Sequence, residues 1–214
     1  MQETRINLGC GTCVVKGWVN IDRSPGPLLD RFRIVKRLLY KAGAISDEHM
    51  VVWPRGIVRA DARKGLRFPS GSADAVYSSH MLEHIYFEEA KRVLLEVRRV
   101  LRQGGVVRLA LPDGAVLAQQ LIGASAAHSA QAALEYNIQL RAHPLARPTA
   151  RGRLAAALGA NIHLWQPTRA LVLEMLVDAG FRDVQERRFR EGDLPDLVLV
   201  EDREESFFLE GIAP

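Results

Sequence analysis

Residues 5–22, RINLGCGTCVVKGWVNID, decide the fold of this chain. The stretch opens with alternating polar and apolar residues and runs into Gly9 and Gly11, a pattern typical of a strand that ends in a tight turn. Residues 17–22 form a second short strand-like run, which ends on the carboxylate of Asp22. A strand, a glycine turn and a second strand ending on an acid together predict a ligand site at the start of a parallel α/β sheet.

The same stretch contains CGTC at residues 10–13, which is also a Cys-x-x-Cys pair. A structural zinc site needs four ligands, and the chain has no other cysteine. A thioredoxin-like pair opens a helix after a strand, and no helix is predicted at this place. A glycine loop is therefore the favoured interpretation, and a thiol oxidoreductase that uses the CGTC pair is the less favoured alternative.

The composition is that of an ordinary globular protein, with 214 residues, 48% of them hydrophobic and 25% charged. We predict a single domain over residues 1–214. The net charge is +4, but acidic residues are interspersed with basic ones and no nucleic-acid-binding motif is present, so no nucleic-acid partner is expected. The first residues lack the basic and apolar regions of a signal peptide, and we expect a cytoplasmic protein.

Strand-like and helical segments alternate along most of the chain, which predicts a parallel α/β sheet covered on both faces. The predicted strands after the first two cover residues 56–61, 73–78, 106–113, 182–189 and 206–213, and the last two are able to pair as a hairpin. The predicted helices that alternate with these strands cover residues 88–101, which end at RQGG, and 167–180.

Two insertions are predicted in the domain, at about residues 23–55 and 114–161. The first contains a basic amphipathic helix at residues 28–41, which either packs on the sheet as a surface helix, or serves as a lid or as a surface that contacts anionic lipid or a polyanionic substrate. The second is rich in alanine and helical in pattern, and we expect it to cover the carboxyl edge of the sheet and to shape a substrate pocket.

The carboxyl ends of parallel strands meet at one edge of a sheet, where ligands bind. Asp22 is placed there to accept hydrogen bonds from two vicinal hydroxyls of a ribose, and Asp61 to accept from an exocyclic amine, which together describe an adenosine site. A dinucleotide fingerprint would need a glycine where Val14 stands, and a phosphate-binding G-K-[ST] sequence is missing. The glycine loop is therefore predicted to face an adenosine cofactor without a pyrophosphate.

These motifs resemble those of the class I S-adenosylmethionine-dependent methyltransferases, of the small bacterial type near "methyltransferase type 11". INLGCG resembles the first motif and GWVNID the second strand with its ribose acid, and RADARKGLRFPSGSADAVYSSHMLEHI resembles the adenine-side loop and fourth strand. RRVLRQGGVVRLALPD, HLWQPTRALVLEMLVDAGFRDV and ESFFLEGIAP follow in the family's order. The chain departs from the family pattern at Cys13, where a third glycine is usual, and in the short loop before Asp22.

The resemblance implies a Rossmann-like, seven-stranded, mostly parallel sheet whose last strand is antiparallel, with helices on both faces and a helical insertion. It also implies S-adenosylmethionine as the cofactor. Cofactor-binding residues carried over from it are Gly9, Cys10 and Gly11 at the methionine part, Asp22 at the ribose, Asp61 and Ala62 at the adenine, and Ser79 and His80 beside the methyl group.

A hydroxyl acceptor must lose a proton when it is methylated, and a positioned base can take it. Candidate catalytic residues are His80, His143, His163 and Asp113, the last acting alone or by holding a divalent metal that acidifies a sugar hydroxyl. Relatives of this kind commonly accompany glycan biosynthesis, which favours O-methylation of a saccharide or another small polar acceptor. The alternative is a non-catalytic protein that keeps the methyltransferase fold as a binding module or scaffold.

Overall fold

A computed structural model of the chain describes residues 3–45, 50–126, 130–141 and 162–214. Its centre is a seven-stranded sheet in the spatial order β3-β2-β1-β4-β5-β7-β6. The strands are β1 (Arg5–Leu8), β2 (Val19–Asp22), β3 (Ile57–Arg59), β4 (Ala73–Ser79), β5 (Leu101–Leu111), β6 (Arg182–Arg187) and β7 (Phe207–Ile212). Neighbours among β1 to β5 pair in parallel, and β7 is antiparallel to both β5 and β6. The predicted sheet with an antiparallel last strand is confirmed.

The helices connect these strands or follow them along the chain. They are α1 (Gly26–Arg31), α2 (Arg33–Lys41), α3 (Phe87–Val100), α4 (Gly114–Ala126), α5 (Ala130–Leu140), α6 (Arg169–Asp178) and α7 (Leu197–Val200). No helix in the described ranges has the length and hydropathy required to cross a bilayer.

The two faces of the sheet are covered differently. One face packs against α3 and α6 in a large apolar core, to which Leu94, Val97 and Leu176 contribute fully or almost fully buried side chains. The other face is covered by the loop between β1 and β2, through Val15 and Trp18, and by the segment that contains α7. Short segments suffice on this second face because the sheet side chains beneath them are themselves buried.

A buried arginine ties the segment before α7 to the middle of the sheet. Arg108, on β5, is 0% exposed and pairs with the carboxylates of Glu201 and Glu210, the latter at 3.0 Å. Its guanidinium also donates to the backbone carbonyls of Arg188 and Glu191, both at 2.8 Å. A buried cation is tolerated only when its charge and its N–H groups are satisfied, as they are here.

Two local predictions differ from the structure. The helix predicted at residues 28–41 is broken at Phe32, whose backbone (φ −114°, ψ 59°) is not helical, so that it forms α1 and α2. The RQGG sequence was predicted to separate a helix from a strand that begins at residue 106, but β5 begins at Leu101, directly after α3. Gly104 has a φ of +74°, and the register of β5 against β4 shifts in this region, so the glycines accommodate a bulge.

Candidate functional site

A cavity of about 570 Å³ opens at the carboxyl ends of β1, β2 and β4, where the strand order reverses. It is lined by every residue that the sequence assigned to the cofactor: Gly9, Cys10, Gly11, Asp22, Asp61, Ala62, Ser79 and His80. Its size falls in the range usual for small-molecule sites.

The glycine loop lies directly over the end of β2. The N–H groups of Gly9 and Cys10 both donate to the carbonyl of Ile21, at 2.8 and 3.0 Å. Gly9 has a φ of +71°, and a Cβ there would lie 2.4 Å from Cγ of Met81. Gly11 has a φ of +52°, and a Cβ there would meet no atom within 4 Å. Gly9 is therefore required by packing, whereas Gly11 leaves the backbone open to the cavity.

The carboxylate of Asp22 is held by two backbone groups. Oδ2 accepts from the N–H of Gly11 at 2.8 Å, and Oδ1 accepts from the N–H of Ser24 at 2.7 Å. Each carboxylate oxygen can accept more than one hydrogen bond, so both keep capacity for a ligand. The short loop thus places Asp22 by bonding to it directly, without a helix between them.

Two buried asparagines fix the rest of this loop. Asn20, which is 3% exposed, accepts from the N–H of Val15 at 2.9 Å and donates to the carbonyls of Val15 and Trp18, both at 3.0 Å. Asn7, which is 2% exposed, donates to Asn20 at 3.1 Å and to the carbonyl of Cys13 at 2.8 Å. The side chains of β1 and β2 therefore satisfy the backbone of the loop between them.

Asp61 is already paired with a cation, Arg63, which the sequence did not indicate. Arg63 binds both of its oxygens, with Nε at 2.8 Å and Nη2 at 2.6 Å. This bidentate pairing lowers the pKa of the Asp61 carboxyl. Asp61 keeps a fixed charge at the edge of the cavity, and an amine that approaches it shares the carboxylate with Arg63.

The cysteines lack the environment of a redox pair. Both are free thiols, Cys10 buried and Cys13 half-buried. Burial raises the pKa of the Cys10 thiol to about 12 and also raises the pKa of Cys13. A reactive thiol needs a lowered pKa, so this geometry gives no support to a thiol oxidoreductase.

A second cavity of about 410 Å³ lies beside the first, between the ends of β4 and β5 and the helices α4 and α5. Three of the four predicted catalytic residues line it, namely His80, Asp113 and His163. The fourth, His143, lies outside the described residues. The two cavities share His80, His84 and Arg203, so they meet at these side chains.

His80 stands at this junction with an unusual backbone. Its φ is +47°, a conformation that non-glycine residues seldom adopt and that is concentrated at functional sites. Nδ1 lies 3.4 Å from the buried carboxylate of Glu83, and Nε2 lies 2.8 Å from the hydroxyl of Ser206. A hydroxyl can donate to Nε2, and a carboxylate favours an N–H on its side, so the tautomer with the proton on Nδ1 suits both neighbours, and in it Nε2 accepts from Ser206.

Asp113 and His163 differ in whether their side chains already have polar partners. The carboxylate of Asp113 accepts from the N–H of Ala115 at 3.0 Å and pairs with Arg169 at 2.7 Å, so it already has a cation and a donor. His163 is 8% exposed, and its Nδ1 has no hydrogen-bond partner in the described part of the chain. Burial lowers the pKa of His163, which favours the neutral imidazole.

Glu83 is a site residue that the sequence did not reveal. It is 0% exposed in a short 3₁₀ turn, Leu82–His84. Its carboxylate faces His80 and His84, at 3.4 and 3.9 Å. The only signal in the sequence is that an acid stands between two histidines, which gives no information on burial.

The first cavity fits S-adenosylmethionine by its chemistry. Gly9 and Gly11 offer backbone without side chains, Asp22 offers acceptor capacity at a fixed position, and Asp61 and His80 also line the cavity. A ligand with vicinal hydroxyls and a planar amine-bearing base is matched by these groups.

Comparisons with known proteins agree with this fit. Residues 6–109, close to half of the chain, match the family model described as a methyltransferase domain. The search of curated proteins finds no match.

Similar solved structures cover nearly the whole chain. An S-adenosylmethionine-dependent methyltransferase from Archaeoglobus fulgidus is 14% identical, with a TM-score of 0.53 over 98% of this chain and 86% of that one. One from Methanosarcina mazei is 15% identical, with a TM-score of 0.51 over 99% and 92%. One from Thermotoga maritima, described as a possible histamine N-methyltransferase, is 13% identical, with a TM-score of 0.51 over 98% and 81%. Identities this low establish the shared fold.

Proposed function

We propose that this chain is a class I S-adenosylmethionine-dependent methyltransferase that methylates a hydroxyl of a saccharide or another small polar acceptor; the fold and the family match of residues 6–109 support the first part of this proposal. One observation carries the proposal: the cofactor cavity and a second cavity meet at His80, an imidazole backed by a buried carboxylate. An acceptor in the second cavity would therefore present its reacting atom to the methyl group beside a base.

The second cavity suits a polar acceptor. Its walls carry hydrogen-bonding side chains on several sides: Gln120, Gln139, Arg141, Arg203 and Glu205. Such groups fix the orientation of a small molecule that has many hydroxyls, and the arginines can also hold an anionic substituent on it.

The residues of this chain have three tasks in the transfer. S-adenosylmethionine supplies a methyl group made electrophilic by its sulfonium. The glycine loop and Asp22 hold the cofactor, and the polar walls of the second cavity align the acceptor hydroxyl with it. The acceptor oxygen would form its bond to the methyl carbon as the carbon–sulfur bond breaks, with the electron pair of that bond staying on sulfur. Nε2 of His80 would take the hydroxyl proton, with the acceptor hydroxyl replacing that of Ser206 as its donor. Glu83 then stabilises the resulting imidazolium.

The test is methyl transfer from isotopically labelled S-adenosylmethionine to a panel of free and lipid-linked sugars. We expect a methyl ether as the product, and a His80→Ala variant that binds the cofactor normally but turns over roughly 10²–10⁴-fold more slowly. Full activity in His80→Ala, or methylation of amines or thiols alone, would contradict the proposal. Cofactor binding without turnover on the whole panel would instead favour the non-catalytic scaffold.

A membrane surface is the proposed partner of α1 and α2. The apolar face predicted to pack on the sheet is exposed, with Phe32 at 55%, Ile34 at 77% and Leu38 at 61%. The exposed cations around it are Arg31, Arg33, Arg37 and Lys41. The buried Lys36 anchors the helix through its ion pair with Asp30. Exposed apolar residues among cations fit an anionic bilayer.

Vesicle sedimentation tests this contact. We expect binding to vesicles that contain phosphatidylserine and weak binding to vesicles of phosphatidylcholine alone. The variant Ile34→Ser/Leu38→Ser should lose binding, whereas Val198→Ser, an exposed apolar residue elsewhere, should keep it. Equal binding of both variants would refute the assignment of this surface.

A further inference from the structure

The turn Leu82–His84 and the segment that precedes α6 lie side by side and are joined by hydrogen bonds. The N–H of Leu164 donates to the carbonyl of Glu83 at 2.7 Å. The indole N–H of Trp165 donates to the carbonyl of Leu82 at 3.1 Å. These contacts join residues some 80 positions apart in the sequence, and they hold the side chains between the two segments in a fixed arrangement.

One of those side chains is a carboxylate without a hydrogen bond. Glu83 is 0% exposed, and neither of its oxygens has a hydrogen-bond partner among the described residues. The nearest titratable atoms are Nδ1 of His80 at 3.4 Å and Nε2 of His84 at 3.9 Å. A buried carboxylate costs several kcal/mol unless a cation or donors compensate it. A positive charge at this position would compensate that cost.

Two histidines near Glu83, His84 and His163, each have a ring nitrogen without a hydrogen bond among the described residues. Nδ1 of His84 lies 2.8 Å from the carbonyl of Ile162, which can only accept, so Nδ1 carries the proton and Nε2 has a lone pair on the side of Glu83. His163 is 8% exposed, and its Nδ1 has no hydrogen-bond partner in the described ranges. The two rings pack edge to face with centroids 5.0 Å apart.

We propose that Glu83, His84 and His163 bind a divalent transition-metal ion. One ligand atom from each residue lies within 4.8 Å of the other two. Bonds of about 2.0–2.2 Å to nitrogen and oxygen would draw these atoms together by roughly 1 Å. Two imidazoles and one carboxylate suit zinc, iron, cobalt or nickel better than magnesium or calcium, which prefer oxygen ligands.

The surroundings are those of a metal ligand set. The hydrogen bond from Nδ1 of His84 to the carbonyl of Ile162 is the outer contact that orients ligating histidines. His84 and His163 both line the second cavity, so an open position on the ion would face the acceptor. This last role rests on the proposed function: there the ion would lower the pKa of the acceptor hydroxyl, and His80 would take the proton.

Metal binding is tested on the full chain without S-adenosylmethionine or an acceptor, so the result does not depend on methyl transfer. After treatment with a chelator, the protein is titrated with Co²⁺ and with Zn²⁺, and uptake is followed by calorimetry and by the visible spectrum of Co²⁺. We expect one ion per chain, with a spectrum of nitrogen and oxygen ligands. Glu83→Gln and His163→Ala should each weaken binding at least 10-fold to 100-fold.

The matched control is Cys10→Ser/Cys13→Ser, which removes the two thiols that line the first cavity and should bind Co²⁺ as the wild type does. Paramagnetic broadening of the His84 and His163 ring signals in the wild type covers the case in which a variant does not fold. No stoichiometric uptake by the wild type, or unchanged uptake by His163→Ala, would overturn the proposal. Metal uptake without methylation of any acceptor would leave the site in place and remove only its role in the reaction.

Discussion

Replacing Asn20 with alanine removes the side chain that holds the loop between β1 and β2. The amide of Asn20 takes part in four hydrogen bonds, with the N–H and carbonyl of Val15, the carbonyl of Trp18 and the amide of Asn7. Asn20 is 3% exposed, so water cannot replace these bonds without opening the loop. The Asn20→Ala variant therefore leaves backbone groups buried and unpaired.

The size of the effect follows from that count. A buried hydrogen bond contributes about 1 kcal/mol net, and an orphaned buried group costs about 1–3 kcal/mol. We expect Asn20→Ala to lower the free energy of unfolding by about 3–5 kcal/mol. Loosening of the loop should also release Gly11 from Asp22 and weaken cofactor binding roughly 10-fold, which corresponds to about 1.4 kcal/mol.

Urea unfolding followed by tryptophan fluorescence measures the first quantity, and calorimetry with S-adenosylmethionine measures the second. The matched control is Asn137→Ala, since the one hydrogen bond of the Asn137 side chain within the described ranges is exposed and goes to the carbonyl of Ala133 at 2.8 Å. This control should change the unfolding free energy by less than about 0.5 kcal/mol. A loss below 1 kcal/mol in Asn20→Ala, together with unchanged cofactor affinity, would refute the role given to the asparagines.

Three further predictions concern packing, the buried arginine and the thiols. Gly9→Ala should lower the unfolding free energy by about 2 kcal/mol, because its φ is +71° and the new Cβ overlaps Met81; a neutral effect in urea unfolding would contradict the packing. Arg108→Met should cost about 3–5 kcal/mol in the same measurement, because it leaves the buried carboxylate of Glu201 without its cation and that of Glu210 with Arg187 alone; an unchanged midpoint would show that they are compensated otherwise. Cys10→Ser/Cys13→Ser should retain methyl transfer, because the pKa of each thiol is raised by burial; loss of activity in a folded variant would restore a chemical role for the pair.

The fold could be predicted because its signals are local. Alternating segments with turn residues between them indicate a parallel sheet, and residues at the strand ends then share one edge. Gly9 and Asp22 were expected to meet for this reason, and in the structure they lie in one cavity. The antiparallel direction of the last strand was predicted from the resemblance to a family and not from any local pattern.

The features that the sequence did not predict depend on contacts between distant residues, which no local pattern encodes. Asn7 and Asn20 stand in strands as ordinary polar residues, and only the folded loop makes them partners of its backbone. Glu83 is buried because a segment some 80 residues later lies over it. The apolar face of α2 was compatible with packing on the sheet or with a surface contact, because periodicity does not say what covers a face, and in the structure Leu38 is 61% exposed.

Calorimetry with S-adenosylmethionine measures whether Asp22 and the glycine loop bind this cofactor. The wild type should bind the cofactor with one site per chain. Asp22→Ala should bind roughly 10²-fold more weakly, because hydrogen bonds to a carboxylate contribute about 1.5–3 kcal/mol, while Asp22→Asn, which keeps one acceptor oxygen, should lie between. Circular dichroism must show that both variants are folded. No binding by the wild type, or undiminished binding by folded Asp22→Ala, would contradict the account.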